Sequence, residues 1–195
     1  MILPIVAYGD PVLKKKAKDI SKDFPKLDEL LSNMFETMYN AYGVGLAAPQ
    51  IGLPIRLFIV DTAPFADDEM TEEEQMELKS FKQVFINAKI IQEEGKEWSF
   101  NEGCLSIPDV REDVYRQPKI TVEYYDEHFE KHTKVFDGLI ARVIQHEYDH
   151  IEGVLFTDKL SSLKKRLIKG KLVKISKGDI SVDYRMRFPN AKNRR

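Results

Sequence analysis

With a single cysteine, Cys104, in 195 residues, the chain can build no internal disulfide framework, and a lone thiol fits a reducing compartment. Neither sign of charge is in surplus. Lys and Arg total 30 against 32 Asp and Glu, a formal charge of -2, so the whole molecule offers no field for nucleic acid and any basic patch must be local. No apolar run reaches the roughly 18 residues of a membrane span, so none is expected. The opening "MILPIVAYGDPVLKKKA" has its basic residues after the apolar stretch, and Pro4 interrupts that stretch. It is not a signal peptide by this reading, and the cytoplasm is the expected location. Repeats and low-complexity linkers are also missing, so residues 1–195 are expected to form one domain. A chain of this length buries about 70% of its unfolded surface without any staple.

What is there begins with helical periodicity from Ser21 to Tyr42, with Ser21 or Asp23 as start signals and Leu27, Leu30, Leu31, Met34, Phe35 and Met38 on one face. Gly43 and Gly45 end it in an irregular loop, "GVGLAAPQIG", before a strand at "IRLFIVD". Residues 63–79 are acidic and read as a solvated excursion. Strands follow at "KQVFINAKII", "KITVEYYDE" and "KHTKVFDG", where apolar residues alternate. A second helix then runs between Asp137, a candidate N-cap, and Gly153, a candidate C′ residue, with Leu139, Ile140, Val143, Ile144 and Ile151 as its apolar stripe. Strands first and a buried helix later predict an α+β fold, with antiparallel or mixed sheets packed around that helix.

The second helix carries "HEYDH". His146 and His150 are one helical turn apart, on one face with Cβ atoms about 5–6 Å from each other, so two imidazoles can reach one metal ion. Glu147 then lies beside the ion without binding it and is suited to moving a proton from water to a leaving amine. Histidines toward the buried side of a helix are costly when unpaired, and a ligand role gives each a partner. A catalytic site needs a third protein ligand and an open position, and Cys104 in "NEGCLSIP" is the only thiol available. Taken alone, a cysteine such as Cys104 is more often a small buried hydrophobe than a ligand.

Three segments stand in order: "GVGLAAPQIG" (43–52), "EGCLS" (102–106) and "QHEYDH" (145–150). With them, and with the N-terminal "PIVAYGDPVLKKKA", the chain resembles the peptide deformylases, which remove the formyl group from the N-terminal methionine of newly made proteins. The resemblance implies metal ligands Cys104, His146 and His150, and a catalytic acid/base at Glu147. It adds Gln50 and the backbone N–H of Leu105 as donors to the oxyanion, a role that spacing alone does not reveal. It implies that the substrate peptide lies along the glycine loop like an added strand. Val44 and Gly45 in that loop, and Leu139 and Val143 on the helix, would bind the substrate, with Val44, Leu139 and Val143 lining a methionine pocket. One sulfur and two nitrogens would ordinarily point to zinc. The resemblance points to Fe(II), with zinc or nickel able to use the same ligands.

Two stretches fit that pattern poorly. The acidic excursion has no assigned chemistry. From about residue 164 the chain turns basic, with Lys164, Lys165, Arg166, Lys169, Lys171, Lys174, Lys177, Arg185, Arg187, Lys192, Arg194 and Arg195 facing only Asp179 and Asp183. Such a segment suits the ribosome's RNA phosphates, although "ISVDYRMRF" alternates like a strand and could pack on the domain. A metal-dependent peptidase shares the H-E-x-x-H pattern, but usually takes its third ligand downstream. A catalytically silent binding protein would be expected to lack Glu147, Gln50 or a ligand.

Overall fold

The computed structural model describes residues 1–191; Lys192, Arg194 and Arg195 of the basic tail lie outside the described residues. In chain order the elements are β1 (Ile5–Val6), α1 (Leu27–Asn40), β2 (Gly45–Ala47), β3 (Leu57–Asp61), α2 (Glu72–Ser80), β4 (Lys82–Glu94) and β5 (Trp98–Cys104). Then come β6 (Ile107–Arg116), β7 (Lys119–Tyr125), β8 (Lys131–Asp137), α3 (Gly138–Ile151), α4 (Ser162–Lys177) and β9 (Met186–Arg187). Among the described residues no helix is long and apolar enough to cross a membrane.

The principal sheet has five antiparallel strands in the order β2-β3-β4-β7-β8. All five residues of β3 are buried, because both faces of the sheet are covered. Successive strand residues point to opposite faces: Phe58 and Val60 pack with Phe85, Val122, Val143 and Ile144 on the α3 side. Leu57 and Ile59 pack with Met34, Met38 and Ile86 on the α1 side. Beside this sheet, β5 and β6 form a separate antiparallel hairpin. Its apolar residues Val110 and Val114 share a third cluster with Leu155, Phe156, Ile168, Leu172 and Ile175. The α+β expectation holds: α3 packs against the sheet between the layers.

The structure adds local detail at four places. Helix α1 starts at Leu27, not near Ser21. Pro25 biases Phe24 away from helical geometry, and Lys26 adopts a left-handed φ of 56°. The acidic excursion contains α2, capped by a reciprocal box in which the Thr71 side chain accepts from the Glu74 N–H and the Glu74 carboxylate accepts from the Thr71 N–H. Its acidic side chains are exposed, as expected of a solvated stretch, while Leu78 of α2 is buried in the α3-side cluster. The segment around Cys104 is a hairpin with Cys104 at its turn. The basic end forms α4, with Ser161 as N-cap and Gly178 closing it at φ 74°, and then β9, which pairs in parallel with β1.

Candidate active site

Three elements meet at one place. The inward face of α3 brings His146, Glu147 and His150; the β5–β6 turn brings Cys104 and Leu105; and β2 with the short helical turn after it brings Gly45 and Gln50. One donor atom each from Cys104, His146 and His150 lies within 4.8 Å of the others. The Cys104 Sγ is 3.3 Å from His150 Nε2. His146 turns its Nδ1 to Glu102 Oε2 at 2.9 Å, which leaves its Nε2 for the centre.

Whether a cation fits here is decided by what these groups lack and by their charge. Glu147 Oε2 is buried with no hydrogen-bond partner among the described residues. Burial, reinforced by the charge on His146, holds His150 well below the usual histidine range, which keeps the neutral imidazole that a metal requires. Burial pulls His146 down too, but Cys104 and Glu102 outweigh it and raise it well above the usual range. The negative groups thus call for positive charge at that point, and a divalent cation answers the same demand. The sulfur and nitrogen donor set, convergent and with an open side toward a cleft, fits a divalent transition metal.

The support behind the histidines is a buried ionic cluster. Glu102, 4% exposed, accepts from Arg116 Nε at 2.7 Å and Nη2 at 3.0 Å, from Arg142 Nη1 at 3.1 Å, and from His146. Burial alone would raise this carboxyl, but the bonds from His146 and Arg116 win and hold it well below the usual carboxylate range. Arg116 also donates to Asp149 Oδ2 at 2.7 Å, so one guanidinium ties the hairpin to α3. Arg142 completes the tie by donating to Val114 O and Trp98 O and lying over the Trp98 ring at 4.4 Å. A ligating histidine whose second nitrogen meets a fixed carboxylate has its tautomer and ring orientation set.

Glu147 is 4% exposed. Burial pushes its carboxyl up to about 7, against the partial relief offered by His146, which suits a group that must both take and give a proton near neutral pH. It packs directly on the backbone of β2: a Cβ at Gly45 would sit 2.5 Å from Glu147 Oε1, so only glycine lets the strand and the carboxylate come so close. Gln50, 1% exposed, accepts the Ala47 N–H on its Oε1 at 2.8 Å, which fixes the amide so that its Nε2 faces Cys104 Sγ at 3.5 Å and Ser106 Oγ at 3.4 Å.

These groups open onto a cleft of about 420 Å³ lined by Val44, Gly45, Gln50, Cys104, Leu105, Val143, His146 and Glu147. Leu139, two turns before His146, is partly buried and packs in the same cluster as Val44 and Val143, and Arg142 also lines the cleft. Several lining residues were not anticipated. Phe65, from the acidic stretch, reaches the cleft and meets Phe100 edge-on at 6.1 Å. Tyr42 stands at the rim, 87% exposed at a φ of 56°. Tyr184 comes from the C-terminal stretch. Glu102 sat within a quoted motif, but nothing in the sequence ties it to Arg116 and Arg142. The Thr71-x-x-Glu74 box was a readable helix signal.

A family model described as polypeptide deformylase matches residues 2–166. The peptide deformylase of Christiangramia forsetii is 72% identical, covering 100% of both chains, and that of Flavobacterium johnsoniae is 68% identical with the same coverage. Among solved structures, a peptide deformylase from Legionella pneumophila is 37% identical with a TM-score of 0.78, covering 92% of this chain and 98% of that one.

Proposed function

Because the chain belongs to the polypeptide deformylase family, and so removes the N-formyl group from nascent polypeptides, we propose that the cleft just described is where it does so. The carrying observation is the convergence of the Cys104, His146 and His150 donor atoms within 4.8 Å, with a buried carboxylate and a fixed amide beside them.

In this reading Cys104, His146 and His150 hold one divalent cation. When bound, such an ion supplies Lewis acidity, polarising the formyl oxygen and making water nucleophilic near neutral pH. Glu147 takes the proton from the attacking water and passes it to the amine as the C–N bond breaks, giving formate and a free N-terminus. Its unpartnered Oε2 and its pKa near 7 support both halves of that task. Gln50 Nε2 and the Leu105 N–H donate to the formyl oxygen as it gains negative charge; one such donor is worth about 2.7–4 kcal/mol.

The substrate backbone would add to β2, the edge strand of the main sheet, whose far side pairs with no other strand among the described residues. Val44 and Val143, with the aliphatic stem of Arg142, would form the methionine pocket, and Gly45 allows the peptide to approach. Fe(II) is the working metal, with zinc or nickel accepted by the same donors. Elemental analysis with formate release measured after anaerobic and aerobic purification decides this, and activity that depends wholly on zinc overturns it. Anaerobic formate release from formyl-Met-peptide, against an acetyl-Met control, tests the function itself. Equal turnover of both would contradict it.

The cytoplasm is the expected location because formylated nascent chains are its substrate. We also read the chain as one catalytic domain with a basic extension from about residue 164. The β1–β9 pairing supports this, since it ties the extension to the N-terminal strand. The exposed lysines of α4 would meet ribosomal RNA phosphates. Salt-dependent co-sedimentation with ribosomes, lost on charge reversal at Lys165 and Lys169, tests that contact; salt-independent or absent binding removes it.

A further inference from the structure

Leu105 and Ser106 are the two central residues of the β5–β6 turn, since Cys104 pairs with Ile107. Two-residue hairpins favour turns with positive φ at one or both central positions, because that twist matches the flanking strands. Neither Leu105 nor Ser106 has a positive φ, so the turn is not one of those favoured types. Both of its carbonyls are instead held from outside. Ser106 O accepts from the Tyr8 N–H at 2.8 Å, and Leu105 O accepts from the Tyr184 hydroxyl at 2.7 Å.

The two donors belong to one small unit. Tyr8 follows β1 and Tyr184 precedes β9, and these strands pair with Ile5 opposite Met186 and Val6 opposite Arg187. The Ile5 N–H to Arg185 O and Ala7 N–H to Arg187 O bonds, both 2.9 Å, extend the pairing. The two ends of the chain therefore clasp the turn that carries Cys104. Tyr184 also lines the cleft, and it lies past residue 166, where the family match stops.

We infer that Tyr184 is a positioning residue of the active site: by holding the Leu105 carbonyl it fixes the turn whose Leu105 N–H faces the formyl oxygen. The catalytic consequence rests on the deformylase reading above. With Leu105 held at its carbonyl, rotation about that residue is restricted and the N–H on the preceding peptide keeps its aim. Ser106 Oγ, 3.4 Å from Gln50 Nε2, links the same turn to the side-chain donor. Preorganised donors of this kind lower the barrier because nothing must reorient as charge develops.

Tyr184→Phe keeps the ring and removes the donor. The expected result is a kcat lower by about fivefold to tenfold with KM within about twofold, the size of one hydrogen bond's net worth. Metal per chain stays unchanged, and amide hydrogen exchange in a peptide spanning residues 103–108 becomes about tenfold faster. Tyr184→Leu should lose at least as much kcat. A kcat within about twofold of the parent overturns the positioning role whatever the exchange does, as does a kcat loss that merely tracks lost metal or a rise in KM alone. Should the parent release no formate, the function reading fails. Exchange needs no turnover and still decides on the clasp: faster exchange in Tyr184→Phe supports it and unchanged exchange overturns it.

Discussion

Helices α3 and α4 have similar lengths, 14 and 16 residues, yet they spend their polar residues in opposite ways. On α3, Arg142, Gln145, Glu147 and His150 are all buried. Arg142 donates through Nη1 and Nη2 to Glu102 and two carbonyls but keeps a buried Nε without a partner among the described residues, and Gln145 donates to Gln117 O and Ala141 O. Glu147 and His150 each keep a buried atom without a partner. On α4 the lysines face solvent and Ile168, Leu172 and Ile175 are the buried apolar anchors. Burying polar groups costs free energy unless they are paired. A helix that does so repeatedly, and leaves three buried atoms on Arg142, Glu147 and His150 unpaired among the described residues, is shaped by chemistry; α4 is shaped by packing.

The contrast breaks most sharply at Glu147. Glu147→Gln preserves volume and removes the base, so kcat should fall by about 10²–10⁴ with metal per chain unchanged. Activity retained within about tenfold would move the proton transfer to another group. The second break is in the ionic cluster. Arg116→Met leaves Glu102 and Asp149 buried with less compensation, which should cost about 3–5 kcal/mol in urea unfolding and loosen metal binding through the freed His146 ring. A cost below about 1 kcal/mol would mean that the cluster is dispensable to the fold.

How much of this was legible follows the range of each signal. The i, i+4 histidines, the intervening carboxylate and the lone thiol could be read as chemistry because helix geometry makes their spacing meaningful and Cys104 has no competitor. The α3 boundaries were readable from Asp137 and Gly153, and Gly153 does adopt φ 76°. What was hidden depends on long-range pairing. No local pattern links Glu102 to Arg142, 40 residues on, or Tyr184 to Leu105, 79 residues back. The hairpin around Cys104 was missed because the apolar alternation of β5 stops after Trp98 and Phe100, giving way to Asn101, Glu102 and Gly103.

A smaller effect separates the chemistry from the packing within α3 itself. In the metal-free protein the Glu147 carboxyl is pushed by burial to about 7, from an ordinary 4.5. It is therefore protonated in the folded state over a pH range where the unfolded chain would ionise it. Its stabilising contribution is full below about pH 4.5 and is lost as pH rises through about 7, a span on the order of 3 kcal/mol. The unfolding free energy of the parent, relative to metal-free Glu147→Gln, should thus fall by that order between pH 4.5 and pH 8. A pH-independent difference would show that the carboxyl is not buried in its acid form.

The smallest expected effect lies on α4 and sharpens the contrast from the other side. Leu167 is 72% exposed and Leu163, one turn earlier, 64%; neither contributes to the cleft. If α4 is held only by its inward face, Leu167→Ser should change the unfolding free energy by no more than about 0.5 kcal/mol and leave kcat unaltered. A cost of about 2 kcal/mol would be the burial value of a leucine. It would mean that this face is covered in solution, and that α4, like α3, has outward residues with work to do.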